Sequence, residues 1–151
     1  MTDQWLTQHF KLSEFTTSEY AIRHGLDNTP DSNVLSNILV CADGLERVRT
    51  ILAVPIHIQS GYRSQKVNAG VGGARASQHL TGGAADIVVS GVDAKDVCEF
   101  ILDHEDYIDF DQLILEAGWT HISFVNDRPP RRDVLTAHFG GGVVTYTKGI
   151  S

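Results

Sequence analysis

The chain has 151 residues, is 42% hydrophobic and has a formal net charge of −7 at pH 7. This length supports one hydrophobic core, so we expect residues 1–151 to form a single domain. The acidic balance without a basic stripe argues against generic nucleic-acid binding. No run approaches the roughly 20 apolar residues of a membrane span, so we expect no membrane insertion.

The predicted elements of the N-terminal half are mainly helical. Residues 10–15 resemble a docking segment, and residues 17–19 could cap a short helix that ends at Gly25. Apolar residues recur at helical spacing over residues 33–52, which predicts a long amphipathic helix backing a sheet. Alternation over residues 55–59 predicts the first strand.

The C-terminal half alternates strands with one further helix. The predicted elements are strands at 84–89, 110–115 and 119–125, a helix at 93–104, and a final hairpin of strands 133–139 and 143–147. The dipeptide Ala117–Gly118 allows either a bulged continuous strand or a tight hairpin. The sequence therefore predicts an α+β fold, with helices on one side of a largely antiparallel sheet.

Two other features do not indicate a catalytic role. Cys41 and Cys98 lie among apolar neighbours in helix-like patterns. We expect them to be buried free thiols, although a disulfide is an alternative. The basic residues at 128–132 surround a proline pair, which predicts a solvated loop; contact with anionic cell-wall groups is the alternative.

Three residues from separate parts of the chain are candidate metal ligands. His79 lies in a glycine-rich polar loop, Asp86 opens a β-branched run, and His121 lies in a later predicted strand. Two imidazoles and one carboxylate form a ligand set with which catalytic zinc keeps a position open for water. The same ligands also accept iron, manganese or cobalt. The alternative is an ordinary polar loop followed by a carboxylate at a strand start.

The spacing of these residues resembles that of a known family. Residues 77–86 follow the pattern Ser-x-His-x-x-Gly-x-Ala-x-Asp, and residues 119–121 follow Trp-x-His. This combination resembles the zinc D-Ala-D-Ala metallopeptidases. That group includes D-Ala-D-Ala carboxypeptidases, vancomycin-resistance dipeptidases and phage endolysins that cut peptidoglycan stem peptides. The segments 58–64 and 110–114 are also similar to the group, and the likeness spans residues 10–125.

The resemblance implies a fold of the hedgehog/D-Ala-D-Ala peptidase type. It implies that His79, Asp86 and His121 hold one zinc ion and that Arg63 faces the substrate. A fixed fork of donors on Arg63 would suit a substrate carboxylate or a developing oxyanion, whereas a surface salt bridge is the alternative. Ser77 is expected to orient His79 or to form a plain turn. Trp119 is expected to wall the pocket or to fill the core.

The general base departs from the family's pattern. The group usually places an acidic base three residues before the last histidine, where this chain has Gly118. We hypothesise that Glu116 replaces it, with Asp111 in reserve, although Glu116 could also be structural or solvent-facing. An odd offset from His121 puts Glu116 on the opposite face of an unbroken strand, so a bulge would be needed to restore a shared face.

These residues predict a zinc peptidase that cleaves peptidoglycan stem peptides with metal-activated water. The alternative is a catalytically impaired metal-binding module that binds cell-wall peptide or serves as a phage structural component; another zinc amidase activity is a weaker alternative. Residues 1–10 lack the features of a secretory signal, so we expect synthesis in the cytoplasm. Access to the wall would then depend on phage lysis or carriage in a virion.

Overall fold

The computed structural model describes residues 3–151, so the first two residues of the N-terminal stretch lie outside the described residues. The helices in this range are α1 (Leu12–Thr16), α2 (Glu19–His24), α3 (Ser32–Leu52), α4 (Gln65–Gly70) and α5 (Ala94–Asp103), with a 3₁₀ turn at Gln78–Leu80. The strands are β1 (His57–Ser60), β2 (Ala84–Val88), β3 (Gln112–Leu115), β4 (Thr120–Ser123), β5 (Asp133–Gly140) and β6 (Val143–Lys148).

The strands described in residues 3–151 form one sheet in the order β1-β2-β4-β3-β5-β6. Neighbouring strands are antiparallel except β3 and β5, which pair in parallel. The predicted α+β class and the largely antiparallel sheet are therefore confirmed. Because β3 lies between β4 and β5 in the sheet, the chain between β4 and β5 crosses from one side of β3 to the other.

One face of the sheet packs against the two longer helices. Alternating residues of the central strands, including Ala85, Ile87 and Ile122, belong to the same buried cluster as Leu45 of α3 and Ile101 of α5. Each of the buried leucine and isoleucine side chains contributes roughly 1.5–3 kcal/mol through removal of apolar surface from water. The predicted helix at 33–52 therefore does back the sheet.

The opposite face of the sheet carries a cleft rather than a second helical layer. Residues of α1, α2 and α4 line this cleft, together with the 3₁₀ turn. Helix α2 begins and ends as predicted, because Ser18 Oγ accepts a hydrogen bond from the backbone N–H of Ala21 and Gly25 adopts φ +61°. Helices α1 and α4 and the 3₁₀ turn were not predicted, since each is too short to show a helical period.

The connection between β3 and β4 is a tight hairpin, so the bulge considered from the sequence is not formed. Leu115 pairs with Thr120, and the backbone N–H of Glu116 donates to the carbonyl of Trp119 at 3.0 Å. Gly118 adopts φ +91°, a conformation that glycine reaches at low cost. The chain therefore reverses over Ala117 and Gly118 without disturbing the register on either side.

The structure also bears on the predictions for the two cysteines, for membrane insertion and for the basic loop. Cys41 and Cys98 are buried free thiols, as expected, and burial raises their pKa to about 12 and about 11. Among residues 3–151 no helix has both the length and the apolar character required to cross a bilayer. The basic residues at 128–132 lie in a loop and Arg128 and Arg131 are exposed, as predicted, but both arginines also bind the buried carboxylate of Asp111 at 2.7 Å.

Candidate metal centre

The three predicted ligands lie together at the floor of the cleft. Asp86 on β2 and His121 on β4 are register partners, so their side chains project from the same face of the sheet. His79 reaches them from the 3₁₀ turn, which two contacts hold in place. Ser77 Oγ accepts a hydrogen bond from the backbone N–H of His79 at 3.2 Å. The backbone N–H of Arg63 donates to the backbone carbonyl of His79 at 3.0 Å.

The donor atoms of this cluster are close and shielded from solvent. Nε2 of His79 lies 3.2 Å from Oδ1 of Asp86, and Nδ1 of His121 lies 3.1 Å from the same oxygen. The three candidate ligand atoms lie within 4.8 Å of one another. His79, Asp86 and His121 are only 2%, 5% and 7% exposed. Among residues 3–151 this cluster includes neither His57 nor His138.

The protonation of His79 indicates that a cation fits between these donors. Nδ1 of His79 donates to the Gly61 carbonyl at 2.6 Å, because that oxygen can only accept. Burial lowers the pKa of His79 and thereby favours the neutral imidazole. In that tautomer, Nε2 directs a lone pair at Oδ1 of Asp86, which also has only lone pairs to offer. A divalent metal ion bound by both atoms would remove this conflict.

The carboxylate of Asp86 is held in its ionised form. Burial by itself raises its pKa, but the adjacent side chains of His121 and His79 outweigh burial, and the pKa lies well below its usual range. The second oxygen, Oδ2, lies 3.5 Å from Nη2 of Arg63. Asp86 therefore presents one oxygen to the imidazoles and the other to a guanidinium.

Arg63 is a partly buried residue of the cleft wall rather than a surface ion-pair partner. Its side chain is 15% exposed. Nε donates to Ser60 Oγ at 3.2 Å, and Nη1 donates to Asn68 Oδ1 at 2.9 Å. The backbone of Gly73 approaches this pair so closely that a Cβ there would lie 2.0 Å from Asn68 Oδ1. These contacts fix the guanidinium beside Asp86, where it also lines the cleft.

Glu116 shares the face of the metal cluster because of the tight hairpin. Paired residues of antiparallel strands project to the same side. Ile114 pairs with His121 and Leu115 with Thr120. The next pair along the two strands is therefore Glu116 and Trp119, which share a backbone hydrogen bond. Glu116 therefore lies on the face of Trp119 and His121, and all three line the cleft. The sequence alone placed Glu116 on the face opposite His121, because that prediction assumed one continuous strand through both residues.

The environment of Glu116 suits a proton acceptor. Burial, and then the nearby negative charge of Asp86, raise its pKa, while the His121 side chain and a hydrogen bond from Trp119 act in the opposite direction. That hydrogen bond joins Trp119 Nε1 to Glu116 Oε2 at 2.7 Å. Trp119 thus fixes one carboxylate oxygen, a role that sequence reasoning did not anticipate.

The reserve candidate Asp111 has a different role. Its carboxylate is fully buried and accepts hydrogen bonds from Arg128, Arg131 and the amide of Gln78. Burial alone raises the pKa of Asp111, but these donors hold it far below its usual range. A carboxylate bound on both oxygens by arginines is a poor base. It ties the loop before β5 to Gln78, the neighbour of the candidate ligand His79.

The cleft above these residues has a volume of about 1150 Å³, which is large enough for a short peptide. Ser77 and Trp119 both line it. The wall contributed by β5 and β6, including Phe139 and Tyr146, was not anticipated. Their exposed hydrophobic pattern carried no chemical motif that could have identified them.

A buried cluster of two histidines and one aspartate beneath an open cleft, with a raised-pKa glutamate beside it, defines the class of metal-dependent hydrolases. The family model described as Peptidase M15 matches residues 8–123. Because this match covers more than half of the sequence, the chain belongs to the Peptidase M15 family, the group of zinc D-Ala-D-Ala metallopeptidases. The family resemblance of the sequence is thereby confirmed. No curated protein matches the chain significantly.

Proposed function

We propose that this protein is a zinc-dependent peptidase that hydrolyses a peptide bond in peptidoglycan stem peptides, as a D-Ala-D-Ala carboxypeptidase or an endolysin-type endopeptidase. The observation that carries the proposal is the buried His79–Asp86–His121 cluster facing an open cleft beside Glu116. Membership of the Peptidase M15 family supports the metallopeptidase chemistry. Access to the cell wall through phage lysis or a virion is part of this proposal.

His79, Asp86 and His121 would hold the zinc ion, through Nε2, a carboxylate oxygen and Nδ1 respectively. When bound, zinc supplies Lewis acidity and lowers the pKa of water to near neutrality. The protein fixes the donors in advance. Gly61 sets the tautomer of His79, and Arg63 lies against the outer oxygen of Asp86. Such contacts around a metal ligand typically change metal affinity or activity 10–100-fold when they are removed, as an order of magnitude.

Glu116 is the general base in this proposal. Trp119 holds Oε2, which leaves Oε1 to accept a proton from the attacking water and to return it to the leaving amine. The pKa of Glu116 is raised towards neutral pH, which makes its carboxylate a stronger proton acceptor. Arg63 lines the same cleft, where its remaining N–H groups would contact a substrate carbonyl or carboxylate. Ser77 contributes by fixing the turn that carries His79.

The competing proposal is a metal-binding module without catalysis. It is favoured by Gly118, a turn residue at the position where the family usually has its acid. Incubation of purified protein with peptidoglycan, with and without a chelator, separates the two proposals when the released ends are identified by mass spectrometry. New peptide ends that disappear with chelator support the peptidase. If peptidoglycan stays intact when the protein carries stoichiometric zinc, the peptidase proposal is rejected in favour of the metal-binding module.

A further inference from the structure

We propose that the β5–β6 hairpin forms a substrate-binding wall, in which the Tyr146 hydroxyl donates a hydrogen bond to the peptide substrate and Phe139 and Val144 contact a small apolar side chain. This inference rests on the proposed peptidase function and adds residues to it. The hairpin lies outside residues 8–123, the range that matches the family. This wall is therefore an addition that the family match does not describe.

The sheet register brings Tyr146 opposite Glu116 across one intervening strand. Leu115 pairs with Thr136 in the parallel β3–β5 ladder, so the following residues, Glu116 and Ala137, are neighbours. Ala137 pairs in turn with Tyr146. Glu116, Ala137 and Tyr146 therefore form one row on the cleft face of the sheet. The backbones of the outer two are separated by two strand spacings, about 10 Å.

The side chains in this row leave room for an extended peptide. Ala137 has the smallest side chain of the three, and Glu116 and Tyr146 stand on either side of it and line the cleft. Tyr146 is 50% exposed, so half of its surface is accessible to a molecule bound in the cleft. A substrate backbone lying over Ala137 would contact the base on one side and the tyrosine on the other.

Tyr146 is suited to donate a hydrogen bond in this position. Burial, and then the charge of Glu116, raise its pKa, so the hydroxyl keeps its proton throughout the neutral range. A protonated hydroxyl pairs with a carbonyl or carboxylate oxygen, and both occur along a peptide.

The rest of the wall is apolar and aromatic. Phe139 and Val144 are register partners that line the cleft beside Tyr146, and the Phe139 ring centroid lies 6.5 Å from that of Trp119. Phe139 is 51% exposed and Val144 is 43% exposed. A methyl or other short alkyl side chain of the substrate would cover these surfaces, whereas a charged side chain would lose hydration against them.

The test compares hairpin variants on a synthetic stem pentapeptide ending in D-Ala-D-Ala, with zinc-loaded protein. Tyr146→Phe removes only the hydroxyl, so we expect KM to rise about five- to tenfold, the effect of one lost hydrogen bond, with kcat within about twofold. Val144→Ala should raise KM about threefold. Val143→Ala is the matched control, because Val143 is exposed on the opposite face of the same strand and should leave KM unchanged.

Zinc content and melting temperature of each variant separate substrate binding from a structural effect, since both should equal those of the wild type. Equal KM values for Tyr146→Phe, Val144→Ala and Val143→Ala would overturn the inference while the peptidase function stands. If the wild type does not hydrolyse the peptide, quenching of its tryptophan fluorescence, to which Trp119 in the cleft contributes, gives the Kd of the peptide. If Tyr146→Phe then binds the peptide more weakly than the wild type, the substrate-binding wall is supported even though the peptidase function is not. Absence of binding by the wild type overturns both proposals.

Discussion

The two carboxylate oxygens of Glu116 have different environments. Oε2 accepts a hydrogen bond from Trp119, while burial and the charge of Asp86 raise the pKa of the whole group. A carboxylate of this kind binds a proton more readily than one on the surface. The role of Glu116 can therefore be tested separately from metal binding.

Replacing Glu116 with glutamine should abolish proton transfer while preserving the shape of the side chain. We expect kcat for peptide hydrolysis to fall about 10²–10⁴-fold, the range typical of general-base catalysis. Zinc content, measured by elemental analysis, should stay at the wild-type level because Glu116 is not one of the clustered ligands. Glu99→Gln on the exposed side of α5 is the control. Retained activity with bound zinc would exclude Glu116 as the base.

At the scale of secondary-structure elements, the longest helix depends on one small residue. Gly44 lies in α3 where a Cβ would come within 2.4 Å of the Phe124 ring. In an exposed helix, alanine is more stable than glycine by about 1 kcal/mol. Here the missing side chain allows α3 to pack against the residue that follows β4, the strand carrying His121.

Gly44→Ala should therefore destabilise the protein by about 1–3 kcal/mol through overpacking, against the usual helical preference. The exposed neighbour Asp43→Ala, also in α3, should leave stability unchanged or increase it slightly. Urea unfolding followed by circular dichroism measures both free energies. An increase in stability for Gly44→Ala would show that Phe124 moves aside without cost.

The loop before β5 is tied down through Asp111. Because its two arginines hold the pKa of Asp111 below the ordinary value, this ion-pair cluster stabilises the fold fully above the unfolded pKa of about 3.9. Its contribution is lost as the pH falls through the lower, folded-state pKa. The free energy of unfolding should therefore decrease on acidification, and part of that decrease should depend on Asp111.

Asp111→Asn should cost about 1–3 kcal/mol at pH 7, because it removes the buried charge to which the donors of Arg128 and Arg131 bind. The difference in unfolding free energy between wild type and variant should shrink as the pH approaches 2, where Asp111 of the unfolded wild type is protonated. Metal-free protein is used, so that zinc release does not contribute. Asp106→Asn, at an exposed position, is the control. A pH-independent difference would show that charge is not the cause.

At the scale of the whole molecule, the sequence predicted what depends on local pattern and missed what depends on pairing. Helices α3 and α5 and the strands had clear periods, and His79, Asp86 and His121 stood out through residue type and spacing. The face of Glu116 could not be derived, because it depends on whether β3 and β4 form a hairpin. The contribution of Tyr146 to the cleft depends on the parallel β3–β5 pairing, which no local pattern indicates.

The metal centre joins three distant parts of the fold, namely the 3₁₀ turn, β2 and β4. An ion bound to all three stabilises the folded chain only, because the unfolded chain has no assembled site. Zinc at about 100 times its Kd should add roughly 2.7 kcal/mol, or about 5–10 °C in melting temperature. Chelator should reverse the increase.

Replacing His121 with alanine should remove this zinc-dependent increase in melting temperature. His138→Ala is the matched control, since His138 is exposed, bonds to Thr147 and lies outside the cluster. Differential scanning calorimetry with and without zinc measures the increase for each protein. If His121→Ala still gains the full increase, the ion binds elsewhere, and the convergence of His79, Asp86 and His121 would then have to be explained by hydrogen bonding alone.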